Sequence, residues 1–240
     1  MRRRFFVEQF ADRSAVMQDE AAHHLGRVLR AQIGQLYELS DGKSVWLGRI
    51  DSISRNRIDF SLIEQLPSPA PSLDVSLLLS VVKFDSFEWA LEKATELGVT
   101  TVVPIAATRS EKALLVAAPK RAARWTKILL ESSQQSRRIS VPILKELTAA
   151  QDAFPAQTTG LRIILSERSS APPLRKVLTG ASTTQTTLAT GPEGGWTDQE
   201  FFAAQQSGFS EASLGHLILR TETAVAAALA ALNFALSPAE

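Results

Sequence analysis

The rhythm of apolar and polar positions changes once along this chain, near residue 70. Before that point the pattern is short alternation. Residues 4–7, 36–39, 45–50 and 57–63 repeat with the period of two expected of strands that cover one face of a core. Ser40-Asp41-Gly42-Lys43 separates the second stretch from the third and predicts a hairpin turn, since Asp-Gly tolerates the positive φ such turns need. Residues 20–29 predict a helix between the first two strands. In residues 67–72, Pro67, Pro69 and Pro71 alternate with small residues, which predicts an extended linker. The expected organisation is therefore a β-rich domain over 1–66, a linker over 67–72 and a second domain over 73–240.

From residue 73 longer apolar runs alternate with helical periodicity. Residues 73–82 are almost continuously apolar, as in a strand buried on both faces of a parallel sheet. Residues 84–97 place Phe84, Phe87, Leu91, Ala94 and Leu97 near one helical stripe, closed by Gly98. Strands are then expected at 100–105, 161–166, 187–190 and 213–219. Helices are expected at 120–135, after Trp196, and at 222–236, where the composition is rich in alanine. The Ser/Thr-rich stretch 179–187 predicts an exposed connection. Such alternation argues for an α/β domain on a parallel sheet.

Composition narrows the classes. The chain has 240 residues, 45% hydrophobic and 21% charged, which is ample for a core. With no cysteine, disulfides and thiolate metal sites are excluded, and His23, His24 and His216 are too few to suggest a metal centre. No apolar run reaches the roughly 18 residues of a membrane span. The basic start Met1-Arg2-Arg3-Arg4 lacks the long apolar stretch of a signal peptide, so a soluble cytoplasmic protein is expected. Net charge is only +1, yet residues 107–140 hold eight Lys and Arg against two acidic residues. That segment reads either as a phosphate-binding surface or as a solvated helix face.

Two late glycine-bearing stretches carry the candidate chemistry. Gly191-Pro192-Glu193-Gly194-Gly195-Trp196 follows one expected strand, and Leu214-Gly215-His216-Leu217-Ile218-Leu219-Arg220-Thr221-Glu222-Thr223-Ala224 contains another. The first lacks the Gly-Lys-Ser/Thr ending of a P-loop and the G-x-G-x-x-G order of a dinucleotide fold. Backbone groups reading an adenine edge and a ribose are the expectation there. Asp198 and Glu200 suit the dipole of the following helix.

In combination these blocks resemble the RsmE family of the SPOUT methyltransferases, the uracil-N3 methyltransferases of small-subunit ribosomal RNA. The resemblance also rests on Lys83-Phe84-Asp85, Glu92-Lys93-Ala94-Thr95-Glu96-Leu97-Gly98, Arg109-Ser110-Glu111-Lys112 and Gln134-Gln135-Ser136-Arg137-Arg138. In the N-terminal part it rests on Arg3-Arg4-Phe5-Phe6-Val7, Ala22-His23-His24-Leu25, Arg27-Val28-Leu29-Arg30, Gly34 and Asp41-Gly42. It covers nearly the whole chain, with every block in order.

The resemblance implies a small PUA-like β-barrel that docks RNA, a SPOUT domain with a trefoil knot, and a homodimer. S-adenosylmethionine would be held by Leu165, Ser166 and Glu167 in one loop, by Gly191, Pro192, Glu193, Gly194 and Gly195 in a second, and by Leu214, Gly215, Leu217, Leu219, Thr221, Thr223 and Ala224 in a third. RNA contacts would come from Arg2, Arg3, Arg4, Arg27, Arg30, Arg109, Lys112, Gln134, Arg137 and Arg138. The partner implied is 16S ribosomal RNA or the small ribosomal subunit, with neither metal nor membrane. Arg220 or Arg137 would stabilise charge on the uracil, and Glu222 or Glu193 would take the N3 proton. The sequence departs from the family at one point: His216 and Leu217 stand where the family commonly has proline and arginine, while Arg220 is kept. A SPOUT enzyme acting on a ribose 2′-hydroxyl or on transfer RNA, or a non-catalytic RNA-binding assembly protein, are the alternatives.

Overall fold

The computed structural model describes residues 4–67 and 73–237. Arg2, Arg3 and most of the expected linker lie outside the described residues. The chain divides into two compact units, residues 1–70 with 133–141, and residues 71–132 with 142–240.

The first unit contains β1 (Arg4–Phe6), β2 (Phe10–Ala11), β3 (Ser14–Gln18), α1 (Asp19–His23) running into one wider helical turn at His24–Val28, β4 (Leu36–Ser40), β5 (Val45–Ile53) and β6 (Arg57–Leu66). They form one sheet in the order β1-β4-β5-β6-β3-β2, with β1 parallel to β4 and the other pairs antiparallel. Alternation sets which side chains turn inward. Ile58, Phe60 and Leu62 of β6 meet Phe5, Leu39 and Ile50 in the core. The hairpin turn is held by Asp41, whose Oδ1 accepts from the backbone N–H of Lys43 at 3.0 Å and of Ser44 at 2.8 Å.

Residues 133–141 belong to this unit because of Glu38. Its carboxylate takes Arg4 Nη2 at 3.0 Å and Arg137 Nη2 at 3.3 Å, and Ser40 Oγ donates to Ile139 O at 2.6 Å. Arg4 also donates to the carbonyl of Arg137 and is only 9% exposed. Arg4 was expected on a phosphate; its guanidinium is instead spent inside the unit, because a buried Glu38 must be paired. Burial also pushes the Arg138 guanidinium below the ordinary arginine pKa, and its Nε donates to Ser140 O.

The second unit contains β7 (Asp74–Ser80), α2 (Phe84–Glu96), β8 (Thr101–Ala106), α3 (Lys112–Gln135, whose last turn counts with the first unit), β9 (Ile143–Leu144), β10 (Thr148–Ala149), α4 (Ala150–Ala153), β11 (Leu161–Leu165), α5 (Leu174–Leu178), β12 (Gln185–Thr190), α6 (Asp198–Gln206), β13 (Ser210–Ala212) and α7 (Thr221–Leu236). Every pairing is parallel. The order is β10-β8-β7-β12-β11-β13, with β9 also on β8. The apolar run of β7 buries Val75, Leu77, Leu78 and Leu79 on both faces of the sheet.

Three expectations fail here. Helix α3 starts at Lys112 rather than at 120 and carries Pro119 inside it. The cluster of Trp125 with Phe87, 4.4 Å between ring centroids, and Phe84, 6.1 Å, holds the helix against α2. The end of the stretch expected to be exposed, 179–187, is strand: Thr186 and Thr187 are buried in β12, where β-branched residues fit. Residues 213–219 are not a strand. The last strand is β13; Ser213 makes an isolated parallel bridge to Pro173, and residues 214–220 form a loop.

Helix α7 packs beside α2. Asn233, near its C-terminal end, donates to the carbonyl of Leu97 at the C-terminal end of α2 at 2.8 Å. The two helices therefore run in the same direction and begin at the same end of the sheet.

Candidate active site

In an open parallel sheet, ligands collect outside the carboxyl ends of the strands where the strand order reverses. Here β7 connects outward to β8, while its other neighbour is the late strand β12, so the reversal lies between β7 and β12. A cavity of about 1170 Å³ opens at that place, lined by loops after β7, β8, β11 and β12, by residues 213–220 and by the start of α7. Ligand pockets for small molecules hold about 300–1,000 Å³, so this one has room for a nucleoside-sized group and more.

The turn after β12 is tied down on every side. Gly191 O accepts from Thr221 Oγ1 at 3.1 Å, and Pro192 O from Gly195 N at 2.8 Å. Arg109 Nη1 donates to Gly194 O at 2.9 Å and to Trp196 O at 3.3 Å. Trp196 is buried beneath the turn, edge-on to Phe154 at 5.6 Å. A Cβ on Gly191 would stand 3.0 Å from the Trp196 Nε1 atom and 3.2 Å from two ring carbons. Glycine is needed there for close approach, and at Gly195 for its φ of +67°. The next residues cap α6. Thr197 and Glu200 form a capping box, and the other Glu200 oxygen accepts from Thr108 N at 2.8 Å. Ser110 Oγ donates to Val81 O at 2.8 Å. Thr108, Arg109 and Ser110 thus fasten the β8 loop to the loops on either side.

The β11 loop brings Ser166, Glu167 and Arg168. Glu167 Oε1 would be 3.2 Å from a Cβ on Gly195, which puts its carboxylate over the turn. The Arg168 guanidinium stacks on Phe201 at 3.8 Å and pairs with Asp198. The third segment is looser. Among the described residues Gly215 N and O bond to Ser213 Oγ alone, while Leu217 is 70% and Ile218 81% exposed.

Every residue expected to hold a cofactor lines this cavity except Gly194, which faces Arg109, and Thr223, which lies on the exposed side of α7. Of the expected catalytic groups, Arg220 and Glu193 line it and Glu222 does not. Of the expected RNA contacts, Arg109 is turned inward onto the turn, Arg4 is buried, and Arg137 shares Glu38. Arg27, Arg30 and Lys112 are exposed, and Gln134 is half-buried. Lys83, Ser86, Thr190, Pro173 and Phe201 also line the cavity and were not anticipated. The position of Lys83, shortly after the buried strand β7 and so at a strand's carboxyl end, is the signal that could have found it. Among the described residues no group of His, Cys, Asp or Glu is arranged to hold a metal, and no helix is long and apolar enough to cross a membrane.

Comparison with known proteins fits this architecture. The model of an RNA methyltransferase domain matches residues 68–233, and that of an RNA methyltransferase PUA domain matches residues 18–63. The ribosomal RNA small subunit methyltransferase E of Synechocystis sp. is 33% identical, over 94% of this chain and 75% of its own length. That of Aquifex aeolicus is 28% identical, over 96% and 99%. The crystal structure of ribosomal RNA small subunit methyltransferase E from Neisseria gonorrhoeae bound to S-adenosyl methionine superposes with a TM-score of 0.88 at 28% identity, covering 98% of each chain. With a catalytic-domain model spanning more than half its length and a one-third-identical relative along most of it, the chain belongs to the RNA methyltransferases with a PUA domain typified by ribosomal RNA small subunit methyltransferase E.

Proposed function

We propose that the protein methylates N3 of a specific uridine in 16S ribosomal RNA, using S-adenosylmethionine. The observation that carries this reading is the cavity at the β7/β12 reversal. Its floor is a glycine turn with the carbonyls of residues 191, 192, 194 and 196 already bonded, and its volume exceeds that of a single nucleoside site. Such a floor keeps its shape before a ligand arrives, which lowers the ordering cost of binding. Gly191 lets the turn lie close on Trp196, Gly195 lets it pass beneath the Glu167 carboxylate, and in this reading Glu167 takes the ribose hydroxyls. S-adenosylmethionine supplies a methyl group on a positively charged sulfur.

The residues of the chain do the rest. Glu193, on the cavity wall, takes the N3 proton; it is preferred to Glu222, which lies off that wall. Arg220 stabilises the negative charge that develops on the uracil oxygens. Exposed Arg27, Arg30 and Lys112 contact phosphates, and the target base is unstacked to enter the cavity. Closure of the first unit's sheet into a small barrel, and a trefoil knot in the second, belong to the same reading. The return of α7 from the edge strand β13 to α2 and α5 supports the knot.

A homodimer is part of the proposal as well. On α7, Ala227, Ala230 and Phe234 are exposed, Phe234 at 94%, a face that a second copy would cover. A cytoplasmic location follows from a ribosomal substrate. Arg220→Ala is the test: S-adenosylmethionine and RNA affinities hold while turnover falls about 10²-fold. Full turnover in that variant refutes the role given to Arg220.

A further inference from the structure

Among the described residues, four cationic side chains line the cavity: Lys83, Arg109, Arg168 and Arg220. Two of them are committed. Arg109 is held by the carbonyls of Gly194 and Trp196, and Arg168 by Asp198 and the face of Phe201. Lys83 and Arg220 have no hydrogen-bonding or ionic side-chain partner among the described residues. They occupy matching positions. Lys83 is the residue before α2 and Arg220 the residue before α7, and these helices run side by side in the same direction. Both cations therefore stand at one end of the sheet, on the wall of one cavity. A cation at a helix start works against the helix dipole, and among the described residues neither is in an ion pair. Lys83 also follows β7, the strand paired with β12 in the register Leu79 to Thr190, so it leaves the sheet beside the Gly191 turn.

We infer that Lys83 is a second catalytic cation, binding a carbonyl oxygen of the target uracil as that base becomes an anion, together with Arg220. This rests on the reading that N3 of uracil is the acceptor. As N3 gives its proton to the Glu193 carboxylate, the charge spreads over N3, O2 and O4. N3 then forms the new bond to the methyl carbon while the carbon–sulfur bond breaks, its electron pair staying on sulfur, and both charges are cancelled. A cation on each side of N3 suits an anion whose charge lies on the two oxygens that flank it. A single arginine reaches one of them.

The test compares wild type, Lys83→Met and Lys83→Arg on small subunits or their RNA, with a parallel set containing 5-fluorouridine, whose N3 is more acidic. Wild type must first yield N3-methyluridine; a different methylated nucleoside refutes the underlying reading rather than this one. Given that product, Lys83→Met should lower kcat about 10²-fold, with S-adenosylmethionine affinity by calorimetry and RNA affinity by filter binding both within about twofold. Lys83→Arg should recover most of the rate. The loss should shrink with 5-fluorouridine, since a more acidic base needs less help. Unchanged kcat in Lys83→Met overturns the inference. So does a loss confined to RNA affinity and equal for both substrates, which would make Lys83 a phosphate contact.

Discussion

The turn at residues 191–196 and the loop at residues 213–220 line the same cavity and are built in opposite ways. In the turn, four carbonyls are bonded by Thr221, Gly195 and Arg109, and an indole fills the space beneath. The loop is fastened at its start, where the backbone of Ser213 bonds Pro172 and Leu174, but beyond it Gly215 bonds only Ser213 among the described residues, and two large apolar side chains face solvent. A site that must recognise a small donor and then admit a nucleotide gains from this division. In the proposed reaction the rigid part would lower the cost of holding the donor, and the loose part would adjust to RNA.

Breaking the rigid side should cost most. Gly191→Val drives a branched side chain into Trp196, an overpacking worth about 1–3 kcal/mol. Calorimetry should show S-adenosylmethionine binding weakened about 100-fold, and thermal unfolding should move down by several degrees. Normal binding in that variant would mean that the turn is not the floor of the site. Arg109→Ala comes next. It removes one charged donor shared by two carbonyls, a loss of about 1.5–3 kcal/mol, and donor affinity should fall about 10- to 100-fold. RNA affinity should hold. If RNA affinity falls instead, Arg109 points outward in solution, as the family resemblance implied. The loop should give the smallest effect. Leu217→Ser with Ile218→Ser should change stability by less than about 0.5 kcal/mol in urea unfolding. Were these residues in a buried strand, as their apolar run predicts, each would cost about 2 kcal/mol or more.

The same contrast explains what was legible in the sequence. The change of rhythm near residue 70, the strand β7, the hairpin at Asp41-Gly42 and the glycine turn were all readable, because each follows from local pattern or backbone chemistry. The apolar run Leu217-Ile218-Leu219 misled because hydrophobicity in a loop and in a short strand look alike, and β13 is only three residues long. Arginines misled for a different reason. A guanidinium in the sequence has no direction: Arg4 goes to Glu38, thirty-four residues away, and Arg109 to Gly194, eighty-five residues away. The membership of residues 133–141 in the first unit depends on the same buried Glu38, a polar anchor with no periodic signature. Lys83 entered the sequence reading only as part of the Lys83-Phe84-Asp85 block, because a motif does not say which way a side chain points; its place on the cavity wall, beside two cations that are already paired, appears only in the structure.

The methylated product is the most direct readout of the site's chemistry. Small ribosomal subunits from cells lacking the enzyme, incubated with this protein and S-adenosylmethionine, should yield one new methylated nucleoside by mass spectrometry of the digested 16S RNA, N3-methyluridine at a single position. A 2′-O-methylated nucleoside, or no methylation with the donor bound, would contradict it.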